Sequence, residues 1–72
     1  MNEKVIQIVA EILNMDAAEL SVDTKIDEIE KWDSLAHVMI IEAIENKLGK
    51  SISIDKAMDI TSMKELIEAA ES

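Results

Sequence analysis

The side chains able to do chemistry are few. The chain of 72 residues holds one His, His37, and no Cys, Tyr or Arg, so a nucleophile, a base and an oxyanion donor cannot all be assembled from it. A self-contained enzyme is argued against, and no catalytic residue is assigned. The pair that stands out is Asp33-Ser34. Two short polar residues stand there where an apolar helical pattern begins, and such residues cap the first free N–H groups of a helix. Asp33 suffices for the cap, which leaves the Ser34 hydroxyl free. Nothing in sequence reach activates that hydroxyl: His37 turns toward the core side of the helix and no second base is near. Read from the residues alone, Ser34 is either a plain N-cap serine or a hydroxyl whose chemistry another protein must carry out. His37 itself reads as a hydrogen-bonded imidazole at the mouth of the fold, the alternative being that it shapes the way into a cavity between helices. Asp23, Asp27 and Glu28 imitate a calcium loop, but the sixth position counted from Asp23 is Glu28 where that loop needs Gly, so no metal site is expected.

These residues must be positioned by helices. Val5, Ile8, Val9, Ile12 and Leu13 recur at the spacing of one helix face, which predicts a helix from about Asn2 to Asn14. From Met15 to Trp32 the pattern dissolves into polar residues with isolated Leu20, Val22, Ile26 and Ile29, a long loop that these four pin to the core and that holds a short helical turn within Met15 to Leu20. The second helix begins at Asp33-Ser34 and ends at Gly49, a natural residue for the position after a helix. Ser51 to Ile54 is extended in character, and Asp55 to Asp59 offers one helical turn. Ser62 and Glu65 have capping-box spacing, and Met63, Leu66, Ile67 and Ala70 give the apolar face of a last helix ending near Glu71. The expected fold is all-α: one domain over residues 1–72, a small bundle of three long helices plus one short helix, with a long loop between the first two.

Charge narrows the partners. Sixteen acidic residues against seven Lys give a net charge of -9, which repels nucleic acid and favours partners with basic surfaces. Self-repulsion on that scale makes the fold sensitive to salt. The apolar share of 49% is aliphatic apart from Trp32, and the Met residues other than Met39 read as core filler. The longest apolar run is Val38 to Ile41, where a membrane span needs about 20 residues. With no Cys and no signal-peptide pattern, a monomer in a reducing cytoplasm is expected.

The wheel of the second helix, taken at about 100° per residue from Leu35, puts Ile40, Ile44, His37, Leu48, Ile41 and Val38 on a broad core-facing arc. Leu35 and Met39 turn the other way, one turn apart and beside Ser34, with Glu42 and Asn46. Isolated exposed apolar residues are ordinary. Two of them one turn apart beside Ser34 form a candidate docking patch, with Glu42 and Glu45 able to meet Lys or Arg on a partner.

The run Asp33-Ser34-Leu35, after a long acidic loop and at the start of the second helix, resembles the attachment motif of acyl carrier proteins and related phosphopantetheine carriers. The resemblance covers essentially the whole chain: an amphipathic first helix, the loop, the motif, the Leu48-Gly49 helix end, Ile52, and Ile60-Thr61-Ser62 leading into the last helix. It implies that Ser34 carries 4′-phosphopantetheine through a phosphodiester, where a helix N-terminus suits the added phosphate. It implies further that a separate phosphopantetheinyl transferase installs the group from coenzyme A with Mg²⁺, that Asp33 helps place metal or enzyme, and that the arm's thiol holds the cargo as a thioester. Ser21, Ser51, Ser53, Ser62 and Ser72 lack the setting of Ser34.

Two features depart from the fatty-acid carriers of that family. Trp32 stands before the motif where a small residue is usual, and the outward face of the second helix carries Ala36, Met39 and Asn46 where acidic residues are more usual. Trp-Asp-Ser-Leu resembles stand-alone carriers of dedicated pathways and some peptidyl carriers, so acyl, hydroxyacyl and aminoacyl cargo all stay open, as do fatty-acid and polyketide pathways. A reading of another class is an unmodified acidic helical adaptor that binds a partner through Leu35 and Met39.

Overall fold

The computed structural model describes residues 2–71. Four α-helices follow one another: α1 (Asn2–Leu13), α2 (Ser34–Leu48), α3 (Ile54–Asp59) and α4 (Met63–Glu71). The expected all-α bundle of three long helices and one short one is what forms. Asn14 stops α1 by entering the left-handed region at φ 56°, with its N–H on the Glu11 carbonyl and the Met15 N–H on the Ala10 carbonyl, the Schellman pattern that Asn can support. Gly49 ends α2 in the same backbone region, φ 66°, as its position predicts.

The long loop is ordered by its ends and its middle. Asp16 and Glu19 form a capping box around a 3₁₀ turn at Ala17–Glu19, inside the segment expected to hold one. A second 3₁₀ turn at Ile26–Glu28 was not expected, because three residues give no periodicity to read. Beside it the loop is stitched to the start of α4. The Ile26 N–H donates to the Thr61 carbonyl at 3.0 Å, and the Met63 N–H donates to the Thr24 carbonyl at 2.9 Å. The second bond satisfies one of the N–H groups that a helix start leaves open.

The core lies between α1, α2 and α4, which pack pairwise. Val5, Ile8, Val9 and Leu13 of α1, Ile40, Ile41 and Ile44 of α2, and Met63, Leu66, Ile67 and Ala70 of α4 are buried, and Leu20 and Trp32 of the loop join them. Three expectations need correction. Val38 is 59% exposed rather than buried, because it stands at the edge of the arc, in the first turns of α2. Val22 is exposed and does not pin the loop, whereas Ile26 and Ile29 do pack against the core. Met58 is 76% exposed on α3 and is not filler, since a helix of six residues turns only one face inward. Met1 lies outside the described residues.

At the start of α4, Ser62 Oγ accepts the Glu65 N–H at 3.2 Å, one half of the expected box. The return bond runs one residue further back, from the Thr61 N–H to Glu65 Oε1 at 2.8 Å, with the Thr61 hydroxyl on the same oxygen at 2.7 Å. The Thr61 hydroxyl, the Thr61 N–H and then Ser62 hold the Glu65 carboxyl below its ordinary value.

Candidate functional site

The start of α2 is set by Asp33. Its backbone is extended and its Oδ1 accepts the Ala36 N–H at 2.8 Å, while its carbonyl accepts the first helical bond from the His37 N–H at 2.9 Å. Ser34 is thereby released from capping. Its side chain is exposed, and among the described residues its hydroxyl and the backbone N–H groups of Ser34 and Leu35 have no hydrogen-bond partner. An accessible hydroxyl thus stands beside two unpaired N–H donors at the positive end of a 15-residue helix. An ester-linked phosphate would find donors and a favourable field there.

Other serines are differently occupied. Ser53 Oγ accepts the Lys56 N–H to cap α3, Ser62 caps α4, and Ser21 bonds with Thr24. Ser51 is exposed in the connection before Ile52, and Ser72 lies outside the described residues.

Leu35 and Met39 are 70% and 48% exposed, and Val38 joins them on the outer surface. Two further exposed apolar side chains, Ile54 and Met58, come from α3. His37 of α2 and Ala57 of α3 are hydrogen-bonded to each other, and Val38 and Met58 are their neighbours in the chain. This contribution of α3 was missed in the sequence because a short helix has too few turns to show a face. Glu42 is exposed beside the patch. Glu45 is half-buried, and its Oε2 accepts the Ile52 N–H at 2.9 Å, tying the connection after α2 back onto that helix.

His37 is satisfied on both sides. Trp32 Nε1–H donates to its Nδ1 at 3.0 Å, and its Nε2 lies 2.7 Å from the Ala57 carbonyl oxygen. An indole N–H only donates and a carbonyl only accepts, so the imidazole is the neutral tautomer with its proton on Nε2. It is no base for Ser34. Among the described residues no group of three His, Asp or Glu side chains is arranged to hold a metal, consistent with Asp16, Glu19 and Glu28 serving as caps within the loop.

The family model of the phosphopantetheine attachment site matches residues 3–70. The acyl carrier proteins of Rickettsia typhi and Rickettsia prowazekii are each 38% identical to this chain over 68 residues, which is 94% of the chain and 79% of the relative. The chain belongs to the acyl carrier protein family. The acyl carrier protein of Rickettsia canadensis is 37% identical over the same shares. As a family member the chain is a carrier rather than an enzyme, and its prosthetic group is covalently attached 4′-phosphopantetheine. The residues at the start of α2 fit that group: a free hydroxyl to esterify, two open N–H donors, and no side chain crowding the hydroxyl with a competing bond. Acyl carrier proteins work with a phosphopantetheinyl transferase and with the enzymes of their pathway. Among the described residues no helix is long and apolar enough to cross a membrane.

Proposed function

We propose that Ser34 is the attachment residue and that this single-domain carrier passes an acyl-type intermediate, held as a thioester on the arm, between the enzymes of a cytoplasmic biosynthetic pathway. The observation that supports it most is the division of labour at the start of α2: Asp33 makes the cap, and the Ser34 hydroxyl beside it is exposed and unbonded. Phosphopantetheine chemistry consumes that hydroxyl, and a serine engaged in capping would have to give up a hydrogen bond to be modified. Asp33 keeps one carboxylate oxygen outside the cap and is positioned to help hold Mg²⁺ during transfer. An acyl cargo is favoured over an aminoacyl one because the relatives at 37–38% identity are named acyl carrier proteins.

Partner enzymes dock on Leu35, Met39 and Val38, with Glu42 at the rim steering basic surfaces into place. Glu45, drawn in toward Ile52, contributes one free carboxylate oxygen at most. The test is incubation of the intact chain with coenzyme A, Mg²⁺ and a broad-specificity transferase. A mass gain of one phosphopantetheine is expected, and it is absent in Ser34→Ala.

A further inference from the structure

The two most exposed large apolar side chains of the described residues both belong to α3: Ile54 at 77% and Met58 at 76%. They are four positions apart and so neighbours along one flank of the helix, while Ala57 is buried on its inward side. Neither side chain is needed to build α3. Ser53 supplies the cap by accepting the Lys56 N–H at 3.2 Å, and the Ile60 N–H closes the last turn on the Ala57 carbonyl. Apolar surface of this size left in water gains free energy when a partner covers it.

Position brings α3 within reach of whatever works on Ser34. His37 follows Ser34 by three positions, one turn along α2, and its Nε2 lies 2.7 Å from the Ala57 carbonyl oxygen. The molecule measures only 26 × 21 × 19 Å along its principal axes. A protein interface of ordinary size takes about 800 Å² from each partner, a disc about 30 Å across, so an enzyme that covers Ser34 spans a whole side of the domain. Charge selects the kind of partner. Residues 34–62 hold four acidic residues against three Lys, whereas residues 15–33 hold seven against two. The segment with α2 and α3 is therefore almost neutral and the loop before it strongly acidic. An apolar recess bordered by Lys or Arg complements both, and a second copy of the chain does not, because each copy carries -9.

We infer that Ile54 and Met58 are a second pair of apolar anchors, placed on α3, for the phosphopantetheinyl transferase that reaches Ser34. This rests on the reading of Ser34 as the attachment site and extends the docking surface beyond α2.

The experiment uses the full chain and a broad-specificity transferase. Surface plasmon resonance without coenzyme A gives the association and dissociation rates, and mass gain with coenzyme A and Mg²⁺ gives kcat and KM. Ile54→Thr and Met58→Gln put polar groups of similar shape and length in place of the apolar ones, and Gln matches Met in helix propensity. Together they are expected to speed dissociation and raise KM about tenfold, with kcat unchanged and the same factor at low and at high salt, as befits anchors rather than steering charges. Met58→Leu keeps the native constants. A double variant within about twofold of the native KM, modified on Ser34 as before, overturns the inference and leaves the attachment site intact. A loss that fades at high salt overturns it as well. So does sedimentation that finds the native chain dimeric and the double variant monomeric, since a second copy then covers the face. A native chain that gains no mass refutes the attachment reading and this inference with it. Should the double variant lose helix by circular dichroism, Met58→Gln set against Met58→Leu decides alone: about threefold in KM is expected between them, and equality overturns the inference.

Discussion

Replacing Asp33 separates the two jobs assigned to it. Its Oδ1 accepts the Ala36 N–H at 2.8 Å in an exposed position, so Asp33→Ala removes a solvent-facing N-cap worth about 1 kcal/mol. A domain of this size loses about 4–8 °C in thermal midpoint per kcal/mol, and relief of one negative charge from -9 offsets only a small part of that. The expected fall is therefore about 4–8 °C. Asp33→Asn keeps an oxygen acceptor in the same place and stays within about 0.5 kcal/mol of the native chain. Ser34→Ala removes a hydroxyl that bonds to nothing within the described residues and leaves the midpoint nearly unchanged. If Asp33 also positions Mg²⁺, Asp33→Asn is modified about tenfold more slowly, the size of one charge-assisted contact. Circular dichroism melts and the rate of mass gain, measured on the same three variants, give both quantities. A midpoint for Asp33→Asn as low as that of Asp33→Ala would refute the acceptor argument. Modification of Asp33→Asn at the native rate would refute the metal-positioning role.

Other outcomes follow from the same geometry. Trp32→Phe leaves His37 Nδ1 without its donor in a half-buried site and is expected to lower unfolding stability by about 1–3 kcal/mol in urea titration; an unchanged midpoint would mean that water replaces the indole. Glu65 is held below its ordinary value of 4.5 by Thr61 and Ser62, so its carboxylate supports the fold above that pH and the support is lost as pH falls through the depressed folded value. Glu65→Gln should accordingly be less stable than the native chain at neutral pH, with the gap closing in acid; a gap that is independent of pH would show that charge plays no part. Leu35→Ala or Met39→Ala is expected to weaken transferase binding by about 1–2 kcal/mol through faster dissociation. Glu42→Lys instead slows association, and its effect fades with added salt. Surface plasmon resonance separates the two rates, and unaltered kinetics in all three variants would remove this face of α2 from the interface.

The long helices were legible because their apolar residues repeat at helical spacing over about two turns or more. Val5, Ile8, Val9 and Leu13, and likewise Met63, Leu66, Ile67 and Ala70, are buried as their spacing predicts. A wheel gives an angle, however, and not what covers that angle. Val38 sits at the edge of the α2 arc and stays exposed. The bond between Trp32 and His37 joins residues five apart across a loop-to-helix boundary, where neither helical nor strand periodicity applies, so the pairing of the chain's single Trp with its single His was not legible. Glu65 shows the same limit on a smaller scale: its spacing from Ser62 identified a capped helix start, yet the acceptor reaches the N–H of Thr61 instead. At the site, local chemistry was enough for Asp33 as the cap, whereas the inward turn of Glu45 toward Ile52 depends on how the chain folds back after Gly49.

The proposal that Ser34 bears the prosthetic group is tested most directly by fragment-ion mass spectrometry of the chain after incubation with coenzyme A, Mg²⁺ and a broad-specificity transferase. One phosphopantetheine per chain is expected, located on Ser34, with no gain in Ser34→Ala although its circular dichroism matches that of the native chain. A group found on another residue, or a folded native chain that gains no mass, would contradict it.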